Sequence, residues 1–449
     1  MAETEQTTSI EKNVEEYDLK GVIISSNKGG EEDIAPVVTS LNYYESILDS
    51  TIRVNLSYVD TGTGSEKSES VLDSLPIVGT ERVDVTIEDS KEEKLELKMY
   101  INQVSPISES TQRNTVDLLM VSKEFFDNES GKTRVVQRFD GKISDHIKKI
   151  LTGDTYLATD KDVSDIETTE NRYNCWGRNL KPFAFTDWIQ QKGIPSSTDA
   201  SGTAGFFLWE TSEGYHFKSV DKLMAQEPKK KYIFNNIPDE GGKNIPGDYD
   251  GQIIELDGDS NINYKKKLEL GTYDTRVILF NPFNCEYKII EPKVKNESGG
   301  SAGSKEMKPE LAAEELPVFN REIDKKFSRT TYMLVDTGSL PSGNTDAQIE
   351  KCQEPNNKPE DTLNQSKMRY NQMFTVKKSI TIPADFTLHA GDAIFIDTPE
   401  VSDKKVQEIN KQVGGLYIIV DLCHYMTAVP PACYTRLNIV RDSYGRKKK

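Results

Sequence analysis

The sequence predicts a mainly β protein with minor α structure, of the α+β class. Runs in which apolar and polar residues alternate recur in the first and last thirds of the chain, and a middle stretch changes to the helical period. Polar turns separate the alternating runs, which is typical of an antiparallel barrel or sandwich. At 449 residues the chain has room for about two to four domains.

The first block of strands follows an acidic N-terminal stretch. "MAETEQTTSIEKNVEEYDLKG" has no apolar core of the kind that signal peptides need, so residues 1–34 are expected to form a flexible leader. Val54, Leu56 and Tyr58 then alternate with polar neighbours and predict a strand that ends near Gly62. "ERVDVTIED", "KLELKMYINQVS" and "RNTVDLLMVS" predict three more strands.

The helical period begins in "FDGKISDHIKKILTGD". Ser144 is the predicted N-cap of this helix and Gly153 its predicted terminator. The apolar residues fall at i, i+4, i+7 and i+8 and predict one buried face: Ile143, Ile147, Ile150 and Leu151.

A second helix is predicted in "LKPFAFTDWIQQKG". Pro182 suits the first turn, because a proline there removes only an N–H that would have no partner within the helix. Phe185, Trp188 and Ile189 share a face, and Gly193 is expected to end the helix.

The stretch "GFFLWETSEGYHFKSVDKLM" predicts a hairpin with "SEG" as its turn, followed by a short helix that Ser219 caps. His216 is expected to point away from its aromatic neighbours. The apolar side of the hairpin consists of Phe206, Leu208, Tyr215 and Phe217. Four polar residues of the stretch are candidate acid–base groups, although each also suits a structural role, which we favour: Glu210, Glu213, His216 and Asp221.

The remaining sequence is again β in character. "GQIIELDGD", "TRVILFNPFNCEYKIIE" and "RTTYMLVDTG" predict strands, and "LYIIVDLCHYMT" and "CYTRLNIVRDSYG" predict a closing antiparallel pair. Residues 293–316 and 339–366 are polar and are expected to form long loops or linkers. The basic residues 446–449 are expected to be a solvated tail.

The charge of the chain excludes one class of function. The net charge is −17 and the isoelectric point is about 4.9, so the protein lacks the basic balance with which a protein grips phosphate backbones. No stretch approaches the roughly 18 consecutive apolar residues of a membrane span.

Cysteine and histidine are too scattered to predict a metal site or a disulfide framework, and reduced thiols are expected. Cys423 and His424 are neighbours in a predicted strand, so they point to opposite faces and would not share one metal ion. The others stand apart along the chain: Cys175, Cys285, Cys352, Cys433, His146, His216 and His389.

Two further patterns suggest chemistry only weakly. The triplet "DTG" occurs at Asp60 and at Asp336, as in a pair of aspartates that share a proton, but it is also ordinary turn chemistry. "DGDSNIN" at residues 257–263 begins like a calcium loop, yet Leu268 stands where the bidentate glutamate belongs. The sequence therefore predicts no catalytic, cofactor-binding or metal-ligating residue, and no enzyme.

The order of these elements resembles the baseplate hub proteins of contractile-tailed bacteriophages and, more distantly, the hub part of type VI secretion spike proteins. The segments that carry the resemblance are "FDGKISDHIKKIL", "FFLWETSEGYHFKSVDKL" and the closing "GDAIFI" and "GGLYIIVDLCHY". They follow one another in the same order, and the matching stretches span most of residues 35–445.

The resemblance implies two tube-type antiparallel β-barrel domains and a peripheral domain that contains the helices. The first barrel is expected at residues 35–122 and the peripheral domain at 123–229. Residues 230–292 are expected to contribute in part to the second barrel, which continues at 317–445.

The resemblance also implies a homotrimeric structural virion protein. Three copies would form six barrels, which adapt a six-fold tail tube to a three-fold central spike and line the channel for genome passage. The expected partners are further copies of the chain, a separate spike protein, the tail tube or its initiator, and baseplate wedge proteins. The expected location is the virion tail, after synthesis in the bacterial cytoplasm.

A multidomain cell-wall or protein hydrolase of a phage tail is the alternative function, and a secreted or capsule-directed binding protein is the third possibility.

Overall fold

The architecture is taken from a computed structural model of the chain. It describes residues 16–61, 77–109, 113–196, 204–234, 249–259, 275–282, 285–290, 329–336, 345–346, 369–371, 373–398 and 414–442, with single residues between these ranges. Strands outnumber helices throughout, so the predicted mainly β, α+β class is confirmed. The predicted loop 293–316 and the tail 446–449 lie outside the described residues, as does nearly all of loop 339–366.

The first half of the main sheet contains seven strands in the order β3-β4-β7-β6-β5-β1-β2, and every neighbouring pair is antiparallel. The four strands predicted from alternation are confirmed. Their inward residues, such as Val83, Val85 and Ile87 in β5, are almost fully buried. The strands are β1 (Asp18–Ser25), β2 (Glu31–Asp33), β3 (Val38–Ser46), β4 (Arg53–Asp60), β5 (Arg82–Glu88), β6 (Lys94–Glu109) and β7 (Asn114–Val121).

The predicted leader, residues 1–34, is wrong from residue 18 onward. β1 pairs with β5 over most of its length, and Val22 and Ile24 are fully buried in the same core as the other strands. These two residues alternate with neighbours that are more exposed, which is the strand period. The acidic residues that precede them obscured this short apolar run in the sequence.

The second half of the main sheet is built around one long strand, β20, which pairs with β19, β21 and β3. Its members are antiparallel except where β12 runs parallel to β13 and β19. The strands are β12 (Lys230–Ile233), β13 (Gly251–Gln252), β14 (Glu255–Asp259), β18 (Val376–Pro383), β19 (Ala393–Asp397), β20 (Gly415–Ala428) and β21 (Pro431–Arg441).

The two halves form one continuous sheet of fourteen strands among the described residues, because β3 pairs with β20. Leu41 lies opposite Met426, and the side chains of both halves share one hydrophobic core. Two closed and separate barrels at 35–122 and 317–445 therefore stay a prediction, whereas the edge-to-edge junction between the two halves is a feature of the fold.

Most of the helices and short strands between Lys123 and Met224 pack around an aromatic core of their own, and together they are termed the peripheral unit. The domain bounds 123–229 of this unit stay a prediction. Its helices are α1 (Lys123–Glu129), α2 (Ile143–Thr152), α3 (Pro182–Gln190) and α4 (Val220–Met224). Its strands pair as β8 (Arg138–Phe139) with β9 (Cys175–Trp176), and β10 (Phe206–Thr211) with β11 (Gly214–Ser219). The two predicted helices, the hairpin and the short helix after it are all confirmed.

The helix ends differ from the predictions at Ser144 and Gly193 and agree at Gly153. Ser144 is not the N-cap of α2, because the helix already begins at Ile143 and Lys142 occupies the cap position. Gly153 does follow the last turn as predicted. α3 ends at Gln190 rather than at Gly193, whose role is close packing: a Cβ there would come within 2.8 Å of the Phe206 ring.

Part of the region assigned to the second barrel forms a separate small sheet instead. β15 (Thr275–Asn281) pairs antiparallel with β16 (Glu286–Ile290) and parallel with β17 (Arg329–Leu334). Both edges of the central strand β15 are therefore occupied, so it cannot also pair with the main sheet. Within 230–292, which was expected to contribute only in part to the second barrel, β12, β13 and β14 do lie in the main sheet. The second barrel at 317–445 stays a prediction.

Candidate functional site: a groove at the sheet junction

A polar groove of about 870 Å³ lies on the outer face of the main sheet, where β3 and β20 meet. The alternation of β20 places Leu422, His424 and Met426 in the core and leaves the residues between them on the outside. The lining includes Cys423 and Tyr425 of β20 and, from neighbouring strands, Asn42, Tyr44, Asn55 and Asn438. Both halves of the sheet therefore contribute to a single surface.

Hydrogen bonds across the junction fix the floor of the groove. Asp421 accepts from the Ser46 hydroxyl at 2.6 Å and from the Asn438 amide at 3.1 Å, which connects three strands through one carboxylate. Arg53 forms an ion pair with Asp49 at 3.1 Å at the rim. A carboxylate held by two donors is a preorganised acceptor, so this surface suits recognition of a polar partner.

The thiol in the groove is unsuited to nucleophilic chemistry. Burial raises the pKa of Cys423 to about 11, and the opposing effects of Tyr44 and Arg436 do not offset it. A thiol with so high a pKa is almost entirely protonated near neutral pH, and the thiolate is the reactive form. The lining of the groove consists mainly of asparagines, tyrosines and charged residues.

Beneath the groove, the buried Glu45 connects three parts of the fold. It accepts hydrogen bonds from the Tyr43 hydroxyl at 2.6 Å and from the backbone N–H of Ala390 at 2.8 Å and Ser212 at 3.1 Å. His389 Nδ1 lies 3.1 Å from the same carboxylate. A strand of the first half, a turn of the second half and the tip of the hairpin therefore meet at one side chain.

The Glu45–His389 pair carries opposite charges in a buried setting. Burial acts to raise the pKa of Glu45, but the charge of His389 and hydrogen bonds from His389, Tyr43 and Ala390 outweigh it and lower the pKa. Burial acts to lower the pKa of His389, but the Glu45 carboxylate outweighs it and raises the pKa, with help from Glu213 and Asp392. Each group thus stabilises the charged form of the other.

The hairpin is buried on both faces, which sequence periodicity did not predict. Phe206, Leu208, Tyr215 and Phe217 pack into the core of the peripheral unit, as expected from alternation. On the other face Trp209 packs with residues of the main sheet, and its indole N–H donates to the Ala390 carbonyl at 2.9 Å. The hairpin therefore connects the peripheral unit to the second half.

The four candidate acid–base residues of the hairpin stretch have four different surroundings. Glu213 is exposed at the turn, as predicted. His216 points away from Tyr215 and Phe217, as predicted; it stacks on Trp209, and its Nδ1 lies 2.6 Å from Asp165. Asp221 accepts from the buried Arg369 at 2.8 Å. The predicted cap is confirmed, because the Ser219 hydroxyl accepts from the Lys222 N–H.

Glu210 belongs to a buried cluster in which one lysine forms ion pairs with two carboxylates. Lys161 Nζ contacts Glu210 and lies 2.8 Å from Glu124. Glu210 also accepts from the backbone N–H of Ile52 at 3.2 Å. Burial raises the pKa of Glu210, and the Lys161 charge offsets this only in part because Glu124 lies nearby. The cluster attaches the peripheral unit to the turn between β3 and β4.

The two "DTG" aspartates have partners in different parts of the fold. Asp60 accepts from the backbone N–H of Val71 at 2.7 Å at the end of β4. Asp336 follows β17 and accepts from the Tyr173 hydroxyl at 2.5 Å in the peripheral unit. Of the calcium-like stretch 257–263, Asp257 and Gly258 lie in β14, paired with β18, and the part after Asp259 lies outside the described residues.

Among the residues that the structure describes, no group of three or more His, Cys, Asp or Glu side chains is arranged to hold a metal ion. No described helix is long and apolar enough to cross a membrane. Cys423 lines the groove while His424 is buried, so the predicted separation of this pair is confirmed.

The sequence alone did not predict the groove or the buried residues beneath it. Asn42 and Tyr44 alternate with buried neighbours in β3, and that alternation alone could have marked an outward polar face. The pairing of β3 with β20 brings together residues more than 370 positions apart, such as Ser46 and Asp421. Local periodicity holds no information on such a contact.

The sequence matches no protein-family model and no curated protein. Among solved structures, the fold is similar to the tail protein from Neisseria meningitidis MC58, at 8% identity and a TM-score of 0.51, over 96% of this chain and 98% of that one. The 43 kDa tail protein of prophage MuSo2 from Shewanella oneidensis aligns at 8% identity and a TM-score of 0.49, over 94% of this chain and 98% of that one. A type VI secretion component of E. coli aligns at 8% identity and a TM-score of 0.42, over 96% and 79%. The resemblance predicted from the order of motifs is thus confirmed at the level of the fold, which this chain shares over nearly its whole length with a tail protein.

Proposed function

We propose that this chain is a structural protein of a phage tail baseplate, where three copies form the central hub. In this proposal the hub adapts a six-fold tail tube to a three-fold spike and lines the channel for genome passage. The observation that carries the proposal is the likeness to the tail protein of N. meningitidis, which extends over 98% of that protein's length. The order of sequence motifs supports the same assignment independently.

The continuous sheet supports the symmetry-matching part of the proposal. Each chain presents two sets of mostly antiparallel strands, joined edge to edge by β3 and β20. Three such chains in a closed ring supply six sets of strands, which is the number that a hexameric tube would require. The buried contacts of Glu45 hold the two sets in a fixed relation, as an adaptor needs.

The charge of the chain supports a role in which DNA passes without being held. Binding to DNA gains most of its affinity from cations that replace the counterions of the phosphates. A chain with a net charge of −17 disfavours that exchange. DNA is therefore a passing contact in this proposal, and the lasting partners are proteins: further copies of the chain, the spike, the tail tube or its initiator, and the baseplate wedges.

The groove is the surface that we propose for contact with a neighbouring tail protein. Its paired charges and amides suit a polar segment of a partner, and Tyr44 and Tyr425 add exposed aromatic area, at 38% and 42% exposure. Tyrosine and arginine are the residue types that most often dominate the affinity of protein interfaces. Arg436 and Tyr425 are thus the residues to test.

The mass of the purified protein in solution, measured by light scattering, tests the proposal first. We expect a trimer, and we expect that trimer to bind tail-tube or spike protein produced from the same genome. Arg436→Glu should weaken that binding and leave the trimer mass unchanged, whereas Arg82→Glu, on an exposed position of β5, serves as the matched control. A stable monomer that binds neither protein would contradict the hub assignment.

The hydrolase alternative is tested with the same sample. A cell-wall or protein hydrolase would release soluble fragments from purified peptidoglycan or from a protein substrate. Replacement of Asp60 or Asp336 by Asn would abolish that release. We expect no such release from the wild-type protein.

A further inference from the structure

The small sheet has an unusual distribution of apolar residues between its two faces. On one face Val277 is fully buried. On the other face, five large apolar side chains are between 39% and 77% exposed: Phe280, Tyr287, Ile289, Tyr332 and Leu334. A sheet with one solvated face normally carries polar residues there. Together with the half-buried Ile278, these residues are termed the apolar face.

The strand register arranges the apolar face in two rows. Phe280 lies between Tyr287 of β16 and Leu334 of β17. Ile278 lies in the same way between Ile289 and Tyr332. Cross-strand neighbours on one face are in contact distance, so the six side chains form one continuous patch rather than scattered exposed residues.

Polar residues border the patch at one end. The next row of the same face contains Arg276 and Thr330, whose side chains are hydrogen-bonded to each other at 3.4 Å. An apolar centre with a polar border is the usual composition of a protein interface. Exposed apolar patches of this kind mark interaction sites in soluble proteins.

The size of the patch approaches that of a stable interface. With about 200 Å² for each large side chain, the five exposed fractions amount to about 600 Å² of accessible area. A typical stable interface buries about 800 Å² on each partner. Backbone and bordering residues would supply the remainder, so the patch is large enough to form the centre of such an interface.

Charge favours a second copy of this chain as the occupant. The six residues of the apolar face carry no charge, whereas the chain as a whole carries −17. The net charges of two copies repel each other, but the apolar faces can approach without charge opposition. In a closed trimer three apolar faces can converge at the three-fold axis, whereas a pairwise contact of one face with itself would give a dimer.

We propose that the apolar face of the small sheet is a contact between copies of this chain. The inference rests on the proposed homotrimer and assigns to it a specific surface. Asp336 anchors the small sheet to Tyr173 of the peripheral unit, so the contact would also fix the position of that unit in the assembly.

The experiment compares the mass of full-length variants over a range of concentrations. Tyr332→Lys combined with Tyr287→Lys places two charges in the apolar face at positions that are 77% and 72% exposed. Ile107→Lys is the matched control, because Ile107 is 61% exposed on the main sheet. We expect the double variant to associate at least about 30-fold more weakly than wild type, and the control to behave as wild type. Leu334→Lys, at a position that is 66% exposed, repeats the test if circular dichroism shows that the double variant is misfolded.

The outcomes separate this inference from the proposed function. A wild-type trimer that dissociates only when the apolar face is changed supports both. A trimer whose association is unaffected by the double variant, or equally weakened by the control, overturns the inference and leaves the hub proposal intact. A wild-type dimer that the double variant dissociates supports contact between copies but contradicts a trimeric hub. A wild-type monomer at every concentration overturns both.

Discussion

The indole N–H of Trp209 donates a hydrogen bond to the carbonyl of Ala390 at 2.9 Å, although 181 positions separate the two residues. The ring lies against the neighbouring Gly391, where a Cβ would come within 2.5 Å of Trp209 Cζ2. The tryptophan at the centre of the hairpin is therefore a structural anchor between the peripheral unit and the main sheet. This contact gives the tryptophan a packing role at this position.

Gly391→Ala should destabilise the protein by about 2 kcal/mol or more. The residue has a φ of +93°, which is strained for any side chain, and the new methyl group would overlap the Trp209 ring. The midpoint of urea denaturation, followed by tryptophan fluorescence, measures the change.

Gly258→Ala is the control for that measurement. Gly258 lies in β14, and a Cβ there would meet nothing within 4 Å. We expect its midpoint to match that of wild type within about 0.5 kcal/mol. Equal shifts for the two variants would disprove the packing role of Gly391.

Lys161→Met should destabilise the protein by about 3–5 kcal/mol at pH 8, because Glu124 and Glu210 would be left as buried carboxylates without their cation. The loss should decrease as the pH falls, since burial already raises the pKa of Glu210 and protonation removes its charge. Urea denaturation at pH 8 and pH 5 checks both statements.

Lys181→Met provides the comparison at the surface. Lys181 pairs with Glu129, and both side chains are partly exposed, at 37% and 47%. Exposed pairs contribute about 0–1 kcal/mol, so this variant should change stability little at either pH. If Lys161→Met were as mild as Lys181→Met, the buried cluster would not attach the peripheral unit as described.

His389→Gln should reduce stability more at pH 5.5 than at pH 8.5. The pKa of His389 is raised above 6.5, so its contribution is complete below that value and disappears as the pH rises through the raised pKa. The pKa of Glu45 is lowered below 4.5, so its contribution is present above that value and disappears as the pH falls through the lowered pKa. The pair therefore contributes fully between about pH 4.5 and 6.5, where unfolding measurements should find the largest effect of the substitution.

His146→Gln is a control with the opposite sign. Burial lowers the pKa of His146, which is therefore held neutral beside the Tyr173 carbonyl at 2.7 Å. A histidine whose folded pKa is lowered opposes folding at low pH, so its replacement should be less destabilising at pH 5.5 than at pH 8.5. The same pH trend in both variants would contradict the assigned charge state of His389.

Local patterns in the sequence were sufficient for the four strands of the first half that were predicted from alternation, the two helices and the hairpin, because each depends on residues fewer than about 20 positions apart. They were not sufficient for β1, whose short apolar run follows acidic residues. The cap at Ser219 was predictable for the same reason. The junction of β3 with β20, the second buried face of the hairpin at Trp209 and the small sheet all depend on distant pairings. The burial of polar residues such as Glu45 could not be predicted either, since a glutamate in a strand normally indicates an exposed position.

Tyr173→Phe should loosen the small sheet while it leaves the main sheet unchanged. The Tyr173 hydroxyl donates to Asp336 at 2.5 Å and accepts from Lys192 at 2.5 Å, so its removal weakens the attachment of the segment after β17 to the peripheral unit, where Asn356 supplies a second link. Loss of one such hydroxyl costs about 1–2 kcal/mol locally, because the buried ammonium and carboxylate retain other contacts. Hydrogen exchange of the β17 backbone amides should therefore become faster, while exchange in β20 stays as in wild type. Uniformly faster exchange across both strands would mean that Tyr173 supports the whole fold rather than this one attachment.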